Sequence, residues 1–154
     1  MNTIEGDISA KGYKFAIILS KFNEFIGNKL LEGAVECLKK HNYTENDFDI
    51  IKVPGAFEIP LTAGKLASQK KYNAIITLGA VIRGATPHFE YISNAVSTGC
   101  AEVALKYGIP VVFGVLTTNT VEQALERSNS GLGNKGWDAA LTAIEMADLN
   151  QKLS

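Results

Sequence analysis

The sequence of 154 residues contains little cysteine, little histidine and no excess of charge of either sign. Its two cysteines, Cys37 and Cys100, form no CxxC pair, and with only two histidines no zinc-binding spacing can be built. The 15 Lys and Arg residues balance 16 Asp and Glu residues, which excludes the basic footprint of a nucleic-acid-binding protein. We therefore expect no metal, no nucleic-acid partner and two buried, reduced thiols of the kind found in cytosolic proteins.

Long hydrophobic runs are absent as well. No segment approaches the roughly 18 apolar residues that a membrane-spanning helix requires, and residues 1–7 lack the basic and apolar regions of a signal peptide. These absences predict a cytoplasmic protein with no membrane attachment. The composition, 46% hydrophobic and 20% charged, is that of a folded globular protein, and the length predicts a single domain over residues 1–154.

Strand-like and helix-like segments alternate along the chain. Apolar runs predict strands over residues 13–19, 48–53, 74–81 and 111–116. Apolar residues at helical spacing predict five helices. The first has Asn23 as its N-cap and ends at Lys40, three more cover residues 58–69, 88–107 and 120–129, and the last begins at Trp137. The glycine-rich residues 131–136 are predicted to form a flexible hinge. This order predicts an α/β fold, a three-layer αβα sandwich around a four-stranded parallel sheet of flavodoxin-like type.

Residues 1–10 fit none of these elements. Thr3, Ile4 and Ile8 suggest an extended N-terminal arm with nothing local to pair with. Two interpretations stay open for this arm. It adds a strand to the sheet of a neighbouring subunit, because a four-stranded sheet has open edges, or it is a frayed terminus.

Ligands of open parallel sheets bind beyond the carboxyl ends of the strands. Here those ends are followed by residues 20–23, 54–58, 79–90 and 113–119. They contain no GxGxxG, P-loop or GxSxG pattern, and they lack the acidic residues of a receiver domain. Dinucleotide binding, P-loop nucleotide binding and serine-hydrolase chemistry are therefore not supported.

The segment 79–90 carries the most specific chemistry. Pro87 at the first position of a helix, with Thr86 as N-cap, leaves free backbone N–H groups near Ala85, which favours an anion site; an ordinary helix cap is the alternative. His88, in the first turn of that helix, is placed for proton transfer near neutral pH, or it is a structural histidine.

Other strand ends supply further candidates. Glu58 can accept hydrogen bonds from a polyol, and Phe22 and Phe113 offer faces on which a planar ring can stack. Arg127 can bind a phosphate with two parallel hydrogen bonds, and Lys135 supplies a second cation. Taken singly, each has a plainer explanation as a helix-start glutamate, a core phenylalanine or a solvated cation.

Six separated motifs occur in order along the chain. They are FN at 22–23, VPGAFEIP at 53–60, LGAVIRGATPHFEY at 78–91, FGVLTT at 113–118, EQALER at 122–127 and GNKG at 133–136. With these motifs the sequence resembles the lumazine synthases of riboflavin biosynthesis over essentially its whole length.

The resemblance implies a transferase that uses no cofactor. Its substrates are 5-amino-6-(D-ribitylamino)uracil and 3,4-dihydroxy-2-butanone 4-phosphate, and its product is 6,7-dimethyl-8-ribityllumazine. By resemblance, His88 transfers protons. The ribitylaminouracil is expected to contact Phe22, Ala56, Phe57, Glu58, Ala80, Val81, Ile82 and Phe113. The butanone phosphate is expected to contact Ala85, Thr86, Arg127 and Lys135.

The resemblance also implies an assembly. Lumazine synthases form homo-pentamers with sites shared between neighbours, some pack twelve pentamers into a 60-subunit shell, and riboflavin synthase is a candidate partner. Gly131 stands where shell-forming members usually carry lysine, which leaves the shell open. Two alternative functions also remain: a related riboflavin synthase that consumes the lumazine, and a non-catalytic shell protein that binds flavin or lumazine.

Overall fold

The computed structural model describes residues 1–130 and 133–154. Within these residues, four parallel strands form one sheet in the order β2-β1-β3-β4. The strands are β1 (Phe15–Ser20), β2 (Phe48–Val53), β3 (Ala74–Ile82) and β4 (Val111–Thr118). The helices are α1 (Glu24–Lys40), α2 (Ile59–Ser68), α3 (His88–Tyr107), α4 (Val121–Glu126) and α5 (Lys135–Lys152), with single 3-10 turns at Glu45–Asp47 and Ala56–Glu58. The predicted α/β fold with a four-stranded parallel sheet is confirmed.

Helices cover both faces of the sheet and create two apolar cores. In β1, Phe15, Ile17 and Leu19 pack with α1 and α5, whereas Ala16 and Ile18 pack with α2 and α3. Successive side chains of a strand point to opposite faces, so a central strand with helices on both faces is buried along its whole length. This double burial explains the continuous apolar runs in the sequence.

The two cysteines lie in different cores. Cys37 of α1 and Cys100 of α3 are both buried and free. Burial raises the pKa of the Cys37 thiol to about 12 and that of the Cys100 thiol to about 11, because apolar surroundings disfavour the thiolate. The prediction of buried free thiols is confirmed.

The segment that enters α5 differs from the predicted hinge over residues 131–136. Residues 131–132 lie outside the described part of the chain, but Asn134 is buried and caps α5 with its Oδ1. The Asn134 Nδ2 donates to the carbonyl oxygens of Lys29 (3.2 Å) and Ser128 (3.0 Å). The hinge prediction is therefore wrong for residue 134 onward, because one buried amide joins the start of α5 to α1.

The N-terminal arm lies against α5 of its own chain. Asp148 of α5 accepts hydrogen bonds from the backbone N–H of Asp7 (2.8 Å) and from the Tyr13 hydroxyl (2.7 Å). At Gly6 the arm lies so close to α5 that an added Cβ would come within 1.9 Å of a carbonyl oxygen of that helix. The arm has no partner nearby in the sequence, but residues 5–10 are held by Tyr43 and α5, so the alternative of a frayed terminus is wrong for these residues.

Acid is expected to weaken this attachment of the arm. Hydrogen bonds from the Tyr13 hydroxyl, the Asp7 N–H and Lys152 hold the pKa of Asp148 at about 2, below its ordinary value of 3.8. Because the folded pKa lies below the unfolded pKa, the stabilisation is complete above about pH 4 and is lost as the pH falls toward 2. Hydrogen exchange should show the protection factor of the Asp7 amide falling between about pH 5 and about pH 2.

The control for that experiment is the amide of Ile17 in β1, whose protection should remain high over the same pH range. An Asp7 amide that is equally protected at both ends of the range would show that the Asp148 carboxylate does not hold the arm.

Candidate active site

The carboxyl ends of β1, β2 and β3 open into a cleft of about 510 Å³, which we call the first cleft. Parallel strands end at the same edge of a sheet, so loops that are distant in sequence meet there. Nine of the predicted site residues line the first cleft: Phe22, Ala56, Phe57, Glu58, Ala80, Val81, Ile82, Thr86 and His88. Ala85 lies in the same loop as Thr86 and is exposed, but it does not line the first cleft.

Phe22 and Phe57 form an aromatic rim around a floor of small side chains. Phe22 is 71% exposed and Phe57 is 60% exposed, whereas Ala56, Ala80 and Val81 are buried. Large apolar side chains left in solvent beside a concave surface are typical of binding sites. The rim suits a flat, partly apolar ligand.

Asn23 holds the loop that carries Phe22 against the sheet. Its backbone is left-handed (φ 59°, ψ 46°), a conformation that asparagine tolerates, and its side-chain amide donates to the carbonyl oxygen of Ala80 at 2.9 Å. The backbone N–H of Phe22 donates to the carbonyl oxygen of Pro54 at 3.1 Å. Asn23 thus occupies the predicted N-cap position of α1 without capping the helix, and its tertiary bond was not predicted.

A half-buried carboxylate lies in the wall of the first cleft. Glu58 ends the 3-10 turn Ala56–Glu58, and a Cβ at Gly55 would lie 3.1 Å from its Oε1, so glycine leaves room for the carboxylate. A carboxylate in this position can accept hydrogen bonds from hydroxyl groups of a ligand.

The loop between β3 and α3 brings Thr86 and His88 to the cleft. α3 begins at His88 with Pro87 as its N-cap, and no side chain in the described structure caps its first N–H groups. The predicted Thr86 cap is therefore wrong, since the helix begins one residue later. The positive end of a 20-residue helix still points toward the loop, an arrangement that favours a bound anion.

A second cleft, of about 730 Å³, lies beside β4 and α5. It is lined by Phe113, Arg127 and Lys135. Phe113 is 43% exposed because β4 is an edge strand, so the alternative of an ordinary core phenylalanine is wrong. Arg127 donates one hydrogen bond to the carbonyl oxygen of Gln123 (3.0 Å), and Lys135 forms an exposed ion pair with Asp138 (3.5 Å).

Within one chain the two clefts are separate. Of the residues that the structure describes, none lines both, so a single subunit does not bring Phe22 and Arg127 into one cavity. A site that uses both groups has to join the first cleft of one subunit to the second cleft of another.

Among residues 1–130 and 133–154, no group of three or more His, Cys, Asp or Glu side chains could hold a metal ion. None of the helices in this part of the chain combines the length and the apolar character needed to cross a membrane.

Fold and clefts together define a class: an α/β sandwich protein with an open cleft at the carboxyl ends of its parallel sheet. Comparison with known proteins narrows this class. A family model described as 6,7-dimethyl-8-ribityllumazine synthase matches residues 12–151. The chain is 59% identical over 148 residues to the 6,7-dimethyl-8-ribityllumazine synthase of Desulfotalea psychrophila (strain LSv54 / DSM 12343), with 96% of each chain covered.

In all, 551 curated proteins match the sequence. The chain belongs to the 6,7-dimethyl-8-ribityllumazine synthase family, and the resemblance found in its motifs is confirmed. This is a family of transferases in riboflavin biosynthesis.

Proposed function

We propose that this protein condenses 5-amino-6-(D-ribitylamino)uracil with 3,4-dihydroxy-2-butanone 4-phosphate and releases 6,7-dimethyl-8-ribityllumazine, phosphate and water. The family match over residues 12–151 and the 59% identity to a lumazine synthase support the reaction. The single observation that carries it is the first cleft, which gathers nine predicted site residues from three separate segments of the chain, at residue 22, residues 56–58 and residues 80–88.

The first cleft suits the ribitylaminouracil. Its pyrimidine ring stacks on Phe22, with the small side chains of Ala80 and Val81 beneath it and Ile82 beside them. The ribityl chain extends toward Ala56, Phe57 and Glu58, where the half-buried carboxylate accepts hydrogen bonds from its hydroxyl groups. Phe113 of a neighbouring subunit completes the aromatic wall.

The butanone phosphate binds where the β3–α3 loop meets the second cleft of a neighbour. The Thr86 hydroxyl and the backbone at Ala85 donate to the phosphate, and the positive end of α3 favours its charge. Arg127 of the neighbour adds charge-assisted hydrogen bonds, with Lys135 as a nearby cation.

The chemistry in this site needs positioning and proton transfers. The 5-amino group attacks the ketone carbonyl and loses one water to form an imine. Loss of a proton from the adjacent carbinol carbon and elimination of the phosphate leave an enol, which tautomerises to a ketone. The ribitylamino nitrogen then attacks this new carbonyl and loses a second water as the ring closes. His88 faces the same cleft as Phe22 and is placed to carry protons in these steps. Because amines add to ketones readily, holding both substrates together supplies most of the acceleration.

The separate clefts support a homo-oligomer, and we propose a cytoplasmic homo-pentamer with active sites at subunit boundaries. The exposed residues 1–4 of the arm are then available to add a strand to the adjacent sheet. Whether pentamers close into a 60-subunit shell depends on residues that include Gly131, which lies outside the described residues. Riboflavin synthase, the enzyme that uses the product, is the proposed protein partner.

The direct test mixes both substrates with the protein and follows lumazine absorbance, with butanone phosphate omitted as the control. The proposal requires lumazine only in the complete mixture. Riboflavin formed from lumazine alone would identify a riboflavin synthase, and lumazine binding without turnover would identify a binding protein. Analytical ultracentrifugation measures the assembly state.

A His88→Ala variant is expected to retain substantial activity. Its kcat should fall by about 10-fold, below the 10²–10⁴-fold typical of general acid–base catalysis, because substrate positioning is intact. Steady-state kinetics with both substrates measures this. A variant with no detectable turnover, despite normal assembly, would contradict this division of roles.

A further inference from the structure

One arginine without a predicted role, Arg83, lies where β3 and β4 end. Arg83 directly follows β3, and its backbone N–H donates to the carbonyl oxygen of Thr118, at the end of β4, at 2.8 Å. Its side chain then extends across the β3–α3 loop toward the first turn of α3.

The Arg83 guanidinium makes three contacts at once. Its Nε donates to Asn119 Oδ1 (2.9 Å), its Nη1 donates to Glu90 Oε1 (3.1 Å), and its Cζ lies 4.4 Å from the centre of the Phe89 ring. Phe89 and Glu90 belong to the first turn of α3, and Phe89 also lines the first cleft. Arg83 thus connects the end of β3 to the start of α3 and to the turn after β4.

The loop of residues 84–87 has few other restraints. Among residues 1–130 and 133–154, no side-chain hydrogen bond involves this loop, and its backbone contributes the bond from Glu90 N–H to Pro87 O (3.2 Å). Because Arg83 precedes the loop and Phe89 follows it, the guanidinium contacts hold the two ends of the loop together. Thr86 belongs to the loop that these contacts hold, and His88 directly follows the loop.

We infer that Arg83 is a positioning residue, which holds the 84–87 loop in the conformation that receives the butanone phosphate. The inference rests on the proposed function for the identity of the ligand. Arg83 acts through the loop and is assigned no contact with the substrate.

The chemistry of the guanidinium explains why arginine suits this position. Its planar fork can donate to oxygens on two different elements while its face covers an aromatic ring. A lysine ammonium is a point charge and cannot make all three contacts in this geometry. The Arg83 and Glu90 side chains are 46% and 59% exposed, so their ion pair adds little to global stability. Loss of the Arg83 contacts should instead increase the mobility of the 84–87 loop.

The experiment compares Arg83→Gln and Arg83→Lys with Lys71→Gln as a matched control. Lys71 also forms an exposed ion pair, with Asp49, and lies over an aromatic ring, that of Tyr72, at the opposite ends of the strands. Hydrogen exchange of the Glu90 amide, whose bond to the Pro87 carbonyl oxygen joins the loop to α3, is measured as the loop exchange, together with the KM for each substrate and the thermal midpoint.

Both Arg83 variants should show a Glu90 amide that exchanges about 10-fold faster, and a KM for the butanone phosphate raised about 10-fold, with the other KM within about 2-fold. Lys71→Gln should change none of these values, and the thermal midpoint should move little in any variant. Unchanged loop exchange in Arg83→Gln would overturn the inference, and so would equal increases in both KM values with a lowered midpoint. If the wild-type protein forms no lumazine, the proposed function fails, and the exchange measurement still tests the role of Arg83.

Discussion

Replacing Arg127 with methionine is expected to lower kcat/KM for the butanone phosphate by about 100-fold. Arg127 follows α4 at the second cleft, where one of its N–H groups donates to Gln123 O. Hydrogen bonds to a charged group contribute about 1.5–3 kcal/mol each, so losing a bidentate phosphate contact costs at least that much. Most of the loss should appear as a raised KM for this substrate, since binding is what the arginine supplies.

Two further variants make the Arg127 result specific. Arg127→Lys keeps the charge without the planar fork and should recover only part of the lost affinity. Lys106→Met removes an exposed cation that lies over Tyr107 and lines neither cleft, and it should behave like the wild-type protein. A normal KM for the butanone phosphate in Arg127→Met would remove Arg127 from the site.

Replacing Gly136 with alanine is expected to destabilise the fold by about 3 kcal/mol or more. Gly136 lies in the first turn of α5, where that helix crosses α1, and an added Cβ would come within 1.9 Å of the carbonyl oxygen of Leu30. The obstacle is helix backbone, which cannot rotate away as a side chain can. α5 has to move off α1, and this opens the core beneath both helices.

Gly64→Ala is the matched control for this stability measurement. Gly64 is also a helical glycine, in α2, but an added Cβ would lie 3.8 Å from its nearest neighbour, a methyl group of Val103. Since alanine favours helix by up to about 1 kcal/mol over glycine, Gly64→Ala should be neutral or stabilising. Urea denaturation of both variants gives the comparison, and equal stability of Gly136→Ala and wild type would show that α1 and α5 are free to separate.

Sequence predicts best the helices and strands whose apolar pattern is complete within their own residues. α3 was expected over residues 88–107 and β2 over 48–53, and the structure has the same bounds. In each case the pattern of apolar residues lies within the element itself, although the cap predicted at Thr86 was wrong. The first cleft was predictable for a related reason, because parallel strands direct their following loops to one edge.

Features that depend on partners distant in sequence were missed. The Asn134 amide bonds to Lys29, 105 residues away, and the Asn23 amide bonds to Ala80, 57 residues away. An asparagine beside glycines is typical of a turn, and the sequence gives no sign of its hydrogen bond to Lys29. Residue 134 was therefore predicted to lie in a hinge. The residues alone did not indicate which strand lies at the edge of the sheet, so the separation of the two clefts was implied only by the family resemblance, with its sites shared between neighbouring subunits.

The placement of one thiol in each apolar layer gives the molecule two internal reporters. A reagent that modifies only accessible thiolates will react with Cys37 when the layer containing α1 and α5 opens, and with Cys100 when the layer containing α2 and α3 opens. Labelling kinetics followed residue by residue can therefore tell whether the two halves of the sandwich come apart together or in turn.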